Sequence, residues 1–239
     1  MKKDAFANWT GYQIYPKSFK DSNGDGMGDL QGIIEKLPYL KDLGVDFIWL
    51  NPIYTSPQVD GGYDISDFYN IDARFGSLED LKELLRKAHE NGIKVIMDLV
   101  VNHTSDQHPW FIESQKSKDN PYRDYYHWAD ATPEKMPNEW QSFFGGSTWT
   151  YDEQTQQAYF HVFAKEQPDL NWKNPQVREE IYTMIRWWLE LGIDGFRLDA
   201  ISHIQKEDWS FKIKSPRGND PWKPFMNVSG IEDYMADLK

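Results

Sequence analysis

Three times along the chain, a stretch with apolar residues three and four apart gives way to a glycine and then a short apolar run. The segments are LPYLKDLGVDFIWL, ending at Leu50; LKELLRKAHENGIKVIMDLV, ending at Val100; and IYTMIRWWLELGIDGFRLD, ending at Asp199. The first part of each predicts an amphipathic helix. Gly44, Gly92 and Gly192 stand where a helix end needs a left-handed residue. The apolar run that follows predicts a strand covered on both faces, as in a parallel sheet. A further strand is expected in GYQIYP, residues 11 to 16. Strand alternating with helix reads as βαβ units, joined by right-handed crossovers.

The third interval breaks the rhythm. About 95 residues separate the strand at 94–99 from the one at 195–199, and a helix from Pro175 to Leu191 uses only part of them. The stretch from Thr104 to Pro168 is rich in Trp, Tyr, Pro, Asp and Gly. A structureless loop that long is improbable, so an inserted subdomain with a short strand in QAYFHVFA is expected. Residues 206 to 224 read as an irregular loop. SGIEDYMADLK reads as a helix start, with Ser229 as N-cap and Glu232 three residues on. The domain boundaries are therefore placed at 1–103, 104–168 and 169–239. Four strands make half of an eight-stranded barrel or most of a small doubly wound sheet.

Composition narrows the function. Aromatics make up 15% of 239 residues, with 11 Trp, enough for a core and compatible with a sugar site. A net charge of -12 without a basic patch argues against nucleic acid. The chain has no cysteine, which excludes disulfides and thiol chemistry and fits a reducing cytoplasm. MKKDAFANW lacks the apolar region of a signal peptide, and no apolar run reaches the ~18 residues of a membrane span.

Parallel α/β folds do their chemistry beyond the C-terminal ends of the strands. The polar residues obey this rule. Asn51, Asp60, Tyr63 and Asp64 follow the second strand; Asp98, Asn102 and His103 follow or end the third; Arg197 and Asp199 end the fourth. Phe196 and Leu198 alternate with Arg197 and Asp199, which places the two charges on one face. The pair reads either as a buried structural ion pair or as part of a site. A carboxylate beside Arg stays ionised, which suits a nucleophile and not a general acid. His103 alone reads more readily as a satisfied structural histidine. No His spacing fits zinc, no Gly-rich phosphate loop follows a strand, and no nucleophile elbow supports a serine triad. DSNGDGMGD, residues 21 to 29, matches the opening of an EF-hand loop, but Gly32 stands where the bidentate Glu belongs. An oxygen-rich loop of this kind favours Ca²⁺ in a structural role, or is a solvated turn with no ion.

DLVVNH and GFRLDA resemble two signature segments of the α-amylase superfamily, glycoside hydrolase family thirteen. QPDLNW resembles a third, and GYQIYPKSFKDSNGDGMGDLQGI and GGYDISDFYNID are similar to that family too. The resemblance spans the chain, and its subgroup is that of α-glucosidases and oligo-1,6-glucosidases, with trehalose-6-phosphate hydrolase among the relatives. It implies the N-terminal half of a (β/α)₈ TIM barrel, with a B domain inserted after strand 3. It implies Asp199 as nucleophile and Arg197 as its electrostatic partner. Asp98 and His103 would lie around the first sugar ring. Asp60 would hold the terminal glucose and make cleavage exo-acting. Tyr63 would stack, and Phe144 and Phe163 would line the mouth. Asp21, Asn23, Asp25, the Met27 carbonyl and Asp29 match the subgroup's Ca²⁺ site. The family's Glu acid follows the fifth strand, beyond Lys239, so the chain as given is expected to be inactive alone. Ala200, small and next to the nucleophile, favours α-1,4 over α-1,6 linkages. A non-catalytic carbohydrate-binding relative and a phosphate-binding flavodoxin-like domain are the competing readings.

Overall fold

The computed structural model describes residues 7–213 and 221–238, so residues 214–220 of the expected loop lie outside the described residues. In chain order the elements are β1 (Gly11–Ile14), α1 (Pro16–Phe19), α2 (Leu30–Asp42), β2 (Phe47–Leu50), β3 (Tyr54–Thr55), β4 (Asp67–Ile71), α3 (Leu78–Glu90) and β5 (Lys94–Val100). There follow α4 (Pro109–Ser114), β6 (Trp128–Asp130), β7 (Trp149–Asp152), β8 (Gln157–Phe160), α5 (Pro175–Leu191), β9 (Gly195–Asp199) and α6 (Ile231–Asp237). Contacts divide the chain into two compact units. One takes in Met1–Thr55, Phe68–Leu99 and Met184–Leu198; the other takes in Ser56–Asp67, Val100–Thr183 and Asp199–Lys239.

The first unit is built on a four-stranded sheet in the order β1-β2-β5-β9. β1 pairs with β2 in parallel, Gly11 opposite Phe47 and Ile14 opposite Leu50, and β2 pairs with β5 in parallel, Leu50 opposite Met97. The helices between these strands bury the faces their spacing announces. α2 buries Leu30, Ile33, Ile34, Leu37 and Leu40, and α3 buries Leu81, Leu84, Leu85 and Ala88. Gly44, Gly92 and Gly192 have φ of 82°, 72° and 116°, the left-handed conformation that stops a helix. The expected strands and α5 stand where the pattern placed them. β1 is shorter than expected, because Pro16 opens α1, where its missing N–H is not needed.

The expectation that every such strand is covered on both faces fails at β9. All its residues are partly exposed, and Leu198 is 37% exposed. β9 is an edge of this sheet, so one side lacks a neighbouring strand.

The second unit contains a three-stranded antiparallel sheet in the order β6-β8-β7. QAYFHVFA supplies β8. Trp140, Trp149, Ala158, Phe160 and Val162 form its core, completed by Phe225, with Trp209 and Phe211 packed against it. This unit therefore reaches beyond 104–168 and takes in the C-terminal stretch. Trp140, Trp149, Trp172 and Trp188 are each at most 3% exposed, so these four tryptophans are core residues, not sugar platforms. Ser229 is not the N-cap of α6. That place falls to Gly230 at φ 91°, whose N–H Glu232 accepts, because only Gly takes this left-handed turn freely.

Two substitutions test this packing. Leu40→Ala removes a fully buried side chain and should lower the unfolding free energy by about 2–5 kcal/mol, whereas Leu43→Ala, 53% exposed, should change it by under about 0.5 kcal/mol in urea titrations. Equal losses would contradict the assignment of the buried face.

Candidate active site

In the first unit, Asp98 on β5 is wholly buried. Its Oδ1 accepts from Arg197 Nη1 at 2.8 Å and its Oδ2 from Trp49 Nε1 at 2.9 Å. The Arg197 guanidinium also lies 4.9 Å from the Trp49 ring centre. Tyr54 donates its hydroxyl to the Asp98 carbonyl at 2.9 Å, and burial, then the Asp98 charge, raise its pKa. Sequence reasoning set Arg197 beside Asp199 and Asp98 beside a sugar. The geometry also joins Arg197, whose side chain is 38% exposed, to the buried Asp98, whose other carboxylate oxygen an indole N–H meets.

In the second unit the loop after β3 places Asp60 and Tyr63. Asp64, wholly buried, accepts the backbone N–H groups of Val59 at 2.9 Å and Asp60 at 3.0 Å. Gly61 and Gly62, at φ 59° and 102°, make the turn that other residues resist. Asp60 Oδ2 accepts from Gln167 Nε2 at 3.0 Å. Burial pushes the Asp60 carboxyl up, Gln167 and His103 oppose the shift, and the charges of Asp64 and Asp199 add to it.

His103 and the segment of QPDLNW meet here. Leu170 N–H donates to Asn102 O at 2.8 Å and Thr104 N–H to Pro168 O at 3.2 Å, which lays residues 168–170 along 102–104. Asp169 accepts Val162 N–H on Oδ1 at 3.0 Å and pairs with Lys206 Nζ on Oδ2 at 2.7 Å. Lys206 Nζ also donates to Asn102 Oδ1 at 2.8 Å and to His203 O at 2.5 Å. His103 Nε2 contacts Tyr63 O at 3.2 Å and Gln167 Nε2 at 3.1 Å. The Phe163 ring meets His103 edge-on at 5.1 Å, and Phe144, exposed, leans on Phe163 at 5.8 Å. The charge of Asp199 is felt at Asp60, His103 and His203. Ala200 follows it at φ 46°, an uncommon backbone for a residue with a side chain.

The predicted residues Asp60, Tyr63, His103, Phe163 and Asp199 thus gather within one unit. Asn102, already placed at the end of the third strand, and His203 join them, as do Gln167, Asp169 and Lys206, which were not singled out individually. Gln167 and Asp169 lie inside QPDLNW, so their motif was visible. Lys206 gave no such signal, since it stands between Gln205 and Glu207 in the polar stretch SHIQKED.

The loop from Asp21 to Asp29 belongs to the first unit. Asp21 accepts the N–H groups of Asn23 (3.0 Å), Gly24 (2.7 Å) and Gly26 (2.8 Å), and the Gly26 and Gly24 bonds hold its carboxyl below the usual range. Asn23 Oδ1 accepts Asp25 N–H, and Asp25 Oδ1 accepts Met27 N–H. This closed turn presents only oxygen ligands, the chemistry of a hard cation. Asp29 is drawn elsewhere: it accepts Gly32 N–H at 2.6 Å as the cap of α2 and Ser22 Oγ at 2.7 Å. Among the described residues, no three His, Asp or Glu side chains converge as a ready metal site.

The family model described as "Alpha amylase, catalytic domain" matches residues 13–236. A probable oligo-1,6-glucosidase of Bacillus subtilis is 54% identical over 242 residues, covering 100% of this chain and 44% of that protein. An α-glucosidase of Pediococcus pentosaceus is 59% identical over 195 residues, 82% of this chain and 35% of that protein. The solved structure of Bacillus licheniformis trehalose-6-phosphate hydrolase superimposes with a TM-score of 0.91 at 48% identity, over 96% of this chain and 41% of that one. The chain therefore spans less than half the length of these relatives.

Five histidines of the second unit, His103, His108, His127, His161 and His203, are held below their ordinary pKa, in each case chiefly by burial, His108 to about 4. The unfolded chain protonates them near pH 6.5 while the folded one does not. Below that value the unfolded state binds more protons, so stability falls as pH falls and levels off once the folded pKa values are reached. Asp60 and Asp106, pushed up by burial, act in the opposite sense but from the lower carboxylate range. Urea unfolding at pH 7 and pH 5.5 should show a loss of roughly 1 kcal/mol per histidine that remains neutral. A flat or rising stability would contradict the buried neutral state of these rings.

Proposed function

The chain belongs to the alpha-amylase family, and from that premise we propose that it carries the nucleophile half of a retaining, exo-acting α-glucosidase. Its substrates are short α-glucosides, from whose non-reducing end α-glucose leaves. The observation that supports this reading is the gathering of Asp60, His103 and Asp199 within one unit, close enough for each histidine and carboxylate to feel the Asp199 charge.

Retaining glycosidases use two carboxyl groups roughly 5–5.5 Å apart. Asp199 attacks the anomeric carbon, the glycosidic C–O bond breaks, and a β-glucosyl ester forms on its carboxylate. Water then attacks the same carbon and frees α-glucose and the carboxylate. Arg197, neighbouring in sequence, supports the anionic state of the nucleophile. Asp60 and His103 bind hydroxyls of the terminal glucose, Tyr63 stacks against it, and Phe144 and Phe163 border the entrance. No carboxyl group of residues 1–239 matches the family's acid motif; Glu207 and Glu232 do not. Residues 1–239 by themselves are therefore expected not to turn over substrate. The four-stranded sheet is read as the first half of a (β/α)₈ barrel, with domains at 1–103 and 169–239 and a B domain at 104–168. A location in the cytoplasm fits a chain without cysteine.

Ala200 leaves room beside the nucleophile, which favours α-1,4 over α-1,6 bonds. The oligo-1,6-glucosidases among the relatives favour the second reading, α-1,6 cleavage. Calcium, where bound, would be held by oxygens of Asp21, Asn23, Asp25, Met27 and Asp29, and would tie the turn before α2.

Three measurements on the protein expressed from its complete gene test these readings. Products from maltose, isomaltose and trehalose 6-phosphate should show faster release of glucose from maltose, and Ala200→Val should shift the ratio toward isomaltose by roughly tenfold; a preference unmoved by this change would exclude the residue. Asp199→Asn should lower kcat by roughly 10⁴-fold or more while ligand still binds; retained turnover would end the glycosidase mechanism. Chelation with EGTA should lower the melting temperature and added Ca²⁺ restore it; indifference to both would remove calcium from the account.

A further inference from the structure

We propose that Lys206 is a positioning residue that, acting through Asn102, decides which ring nitrogen of His103 carries the proton. Lys206 Nζ can only donate, and it donates to Asn102 Oδ1 at 2.8 Å. That contact fixes the Asn102 amide, so its Nδ2, 3.2 Å from His103 Nδ1, is a donor. His103 Nδ1 must therefore accept and be bare. At the other end of the ring Nε2 faces Tyr63 O at 3.2 Å, which can only accept, so Nε2 carries the hydrogen. The ring is the neutral Nε2–H tautomer, which agrees with its depressed pKa, set by burial against the pull of Asp169, Asp199 and Asp60.

This outcome is not forced by the ring's other neighbour. Gln167 accepts Ala164 N–H on Oε1 and donates from Nε2 to Asp60 Oδ2, and the same Nε2 stands 3.1 Å from His103 Nε2. Gln167 alone would favour a bare Nε2, the opposite tautomer. The site thus holds two competing instructions, and the Lys206–Asn102 link supplies the deciding one. Lys206 is itself immobilised, wholly buried and paired with Asp169 at 2.7 Å, so the amide it holds has no freedom to turn over. The consequence is a fixed N–H donor at Nε2, held by Tyr63 O here and offered to a sugar hydroxyl that takes the place of that carbonyl. That catalytic consequence rests on the glycosidase reading; the tautomer does not.

Histidine-selective ¹⁵N NMR of the protein expressed from its complete gene, with His103 assigned by a His103→Gln variant, reads the proton directly. The expected pattern is a protonated Nε2 and a bare Nδ1. Asn102→Asp keeps an acceptor for Lys206 and hence the fold, but turns a second acceptor toward Nδ1. It should move the proton to Nδ1 and lower kcat/KM by about tenfold through the loss of one hydrogen bond. Lys206→Met should give a mixture of both tautomers, if that chain folds, and Lys206→Arg should restore the single one. A protonated Nδ1 in the unmodified protein, or an unchanged ring in folded Asn102→Asp, would overturn the inference even if glucosidase activity is present. A bare Nδ1 that responds to Asn102→Asp in a protein without glucosidase activity would uphold the inference and remove the functional reading instead.

Discussion

The second unit is organised around one buried ion pair. Lys206 and Asp169 meet at 2.7 Å with side chains 1% and 0% exposed. Such a pair surrenders the hydration of two charges, and it persists only where further hydrogen bonds satisfy the remaining valences. Here they do. Lys206 spends its other donors on Asn102 and His203 O, and Asp169 receives Val162 N–H. Three stretches distant in sequence, around residues 102, 162–169 and 203–206, are thereby fixed to one point. All carry or adjoin residues of the candidate site. Losing either partner would strand a charge in the interior, at a cost of about 3–5 kcal/mol, so the arrangement is held as a whole.

The same burial sets the electrostatics. His103 and His203 stay neutral because the interior disfavours their charged forms, although Asp169 and Asp199 pull the other way. Asp60 is pushed toward its protonated form by burial, with Gln167 donating to it in opposition. A site of this kind places neutral histidines and carboxyl groups within one unit. Under the proposed function, that combination binds hydroxyls and offers a nucleophile. Lys206 is already committed to Asp169.

What the sequence made legible was the regular part. Apolar spacing located α2, α3 and α5 and the strands after them, because these faces are buried and periodicity is the direct record of burial. The glycines at 44, 92 and 192 marked helix ends because few other residues accept that backbone. Other features left no periodic trace. The short strands β3, β4, β6 and β7 are too brief to show a period, and the core they build borrows Phe225 from a distant stretch. Ser229 looked like a cap by type, yet a glycine one residue later makes the turn. Asp60, His103 and Asp199 could be named from where they stand relative to strands and from family motifs. Lys206 could not, since a buried lysine is recognised only by the partners that surround it. The pairing of Arg197 with Asp98 was likewise hidden, because alternation within β9 pointed to its own neighbour Asp199 and carried no information about β5.

The central claim is that Asp199 becomes covalently bonded to glucose. Incubation of the protein expressed from its complete gene with a fluorinated α-glucosyl fluoride, followed by proteolysis and mass spectrometry of the peptides, tests it most directly. The account predicts one trapped fluoroglucosyl group, on the peptide that contains Phe196 to Ala200, at Asp199. A label on any other carboxylate, or turnover of the reagent with no trapped species at all, would contradict it.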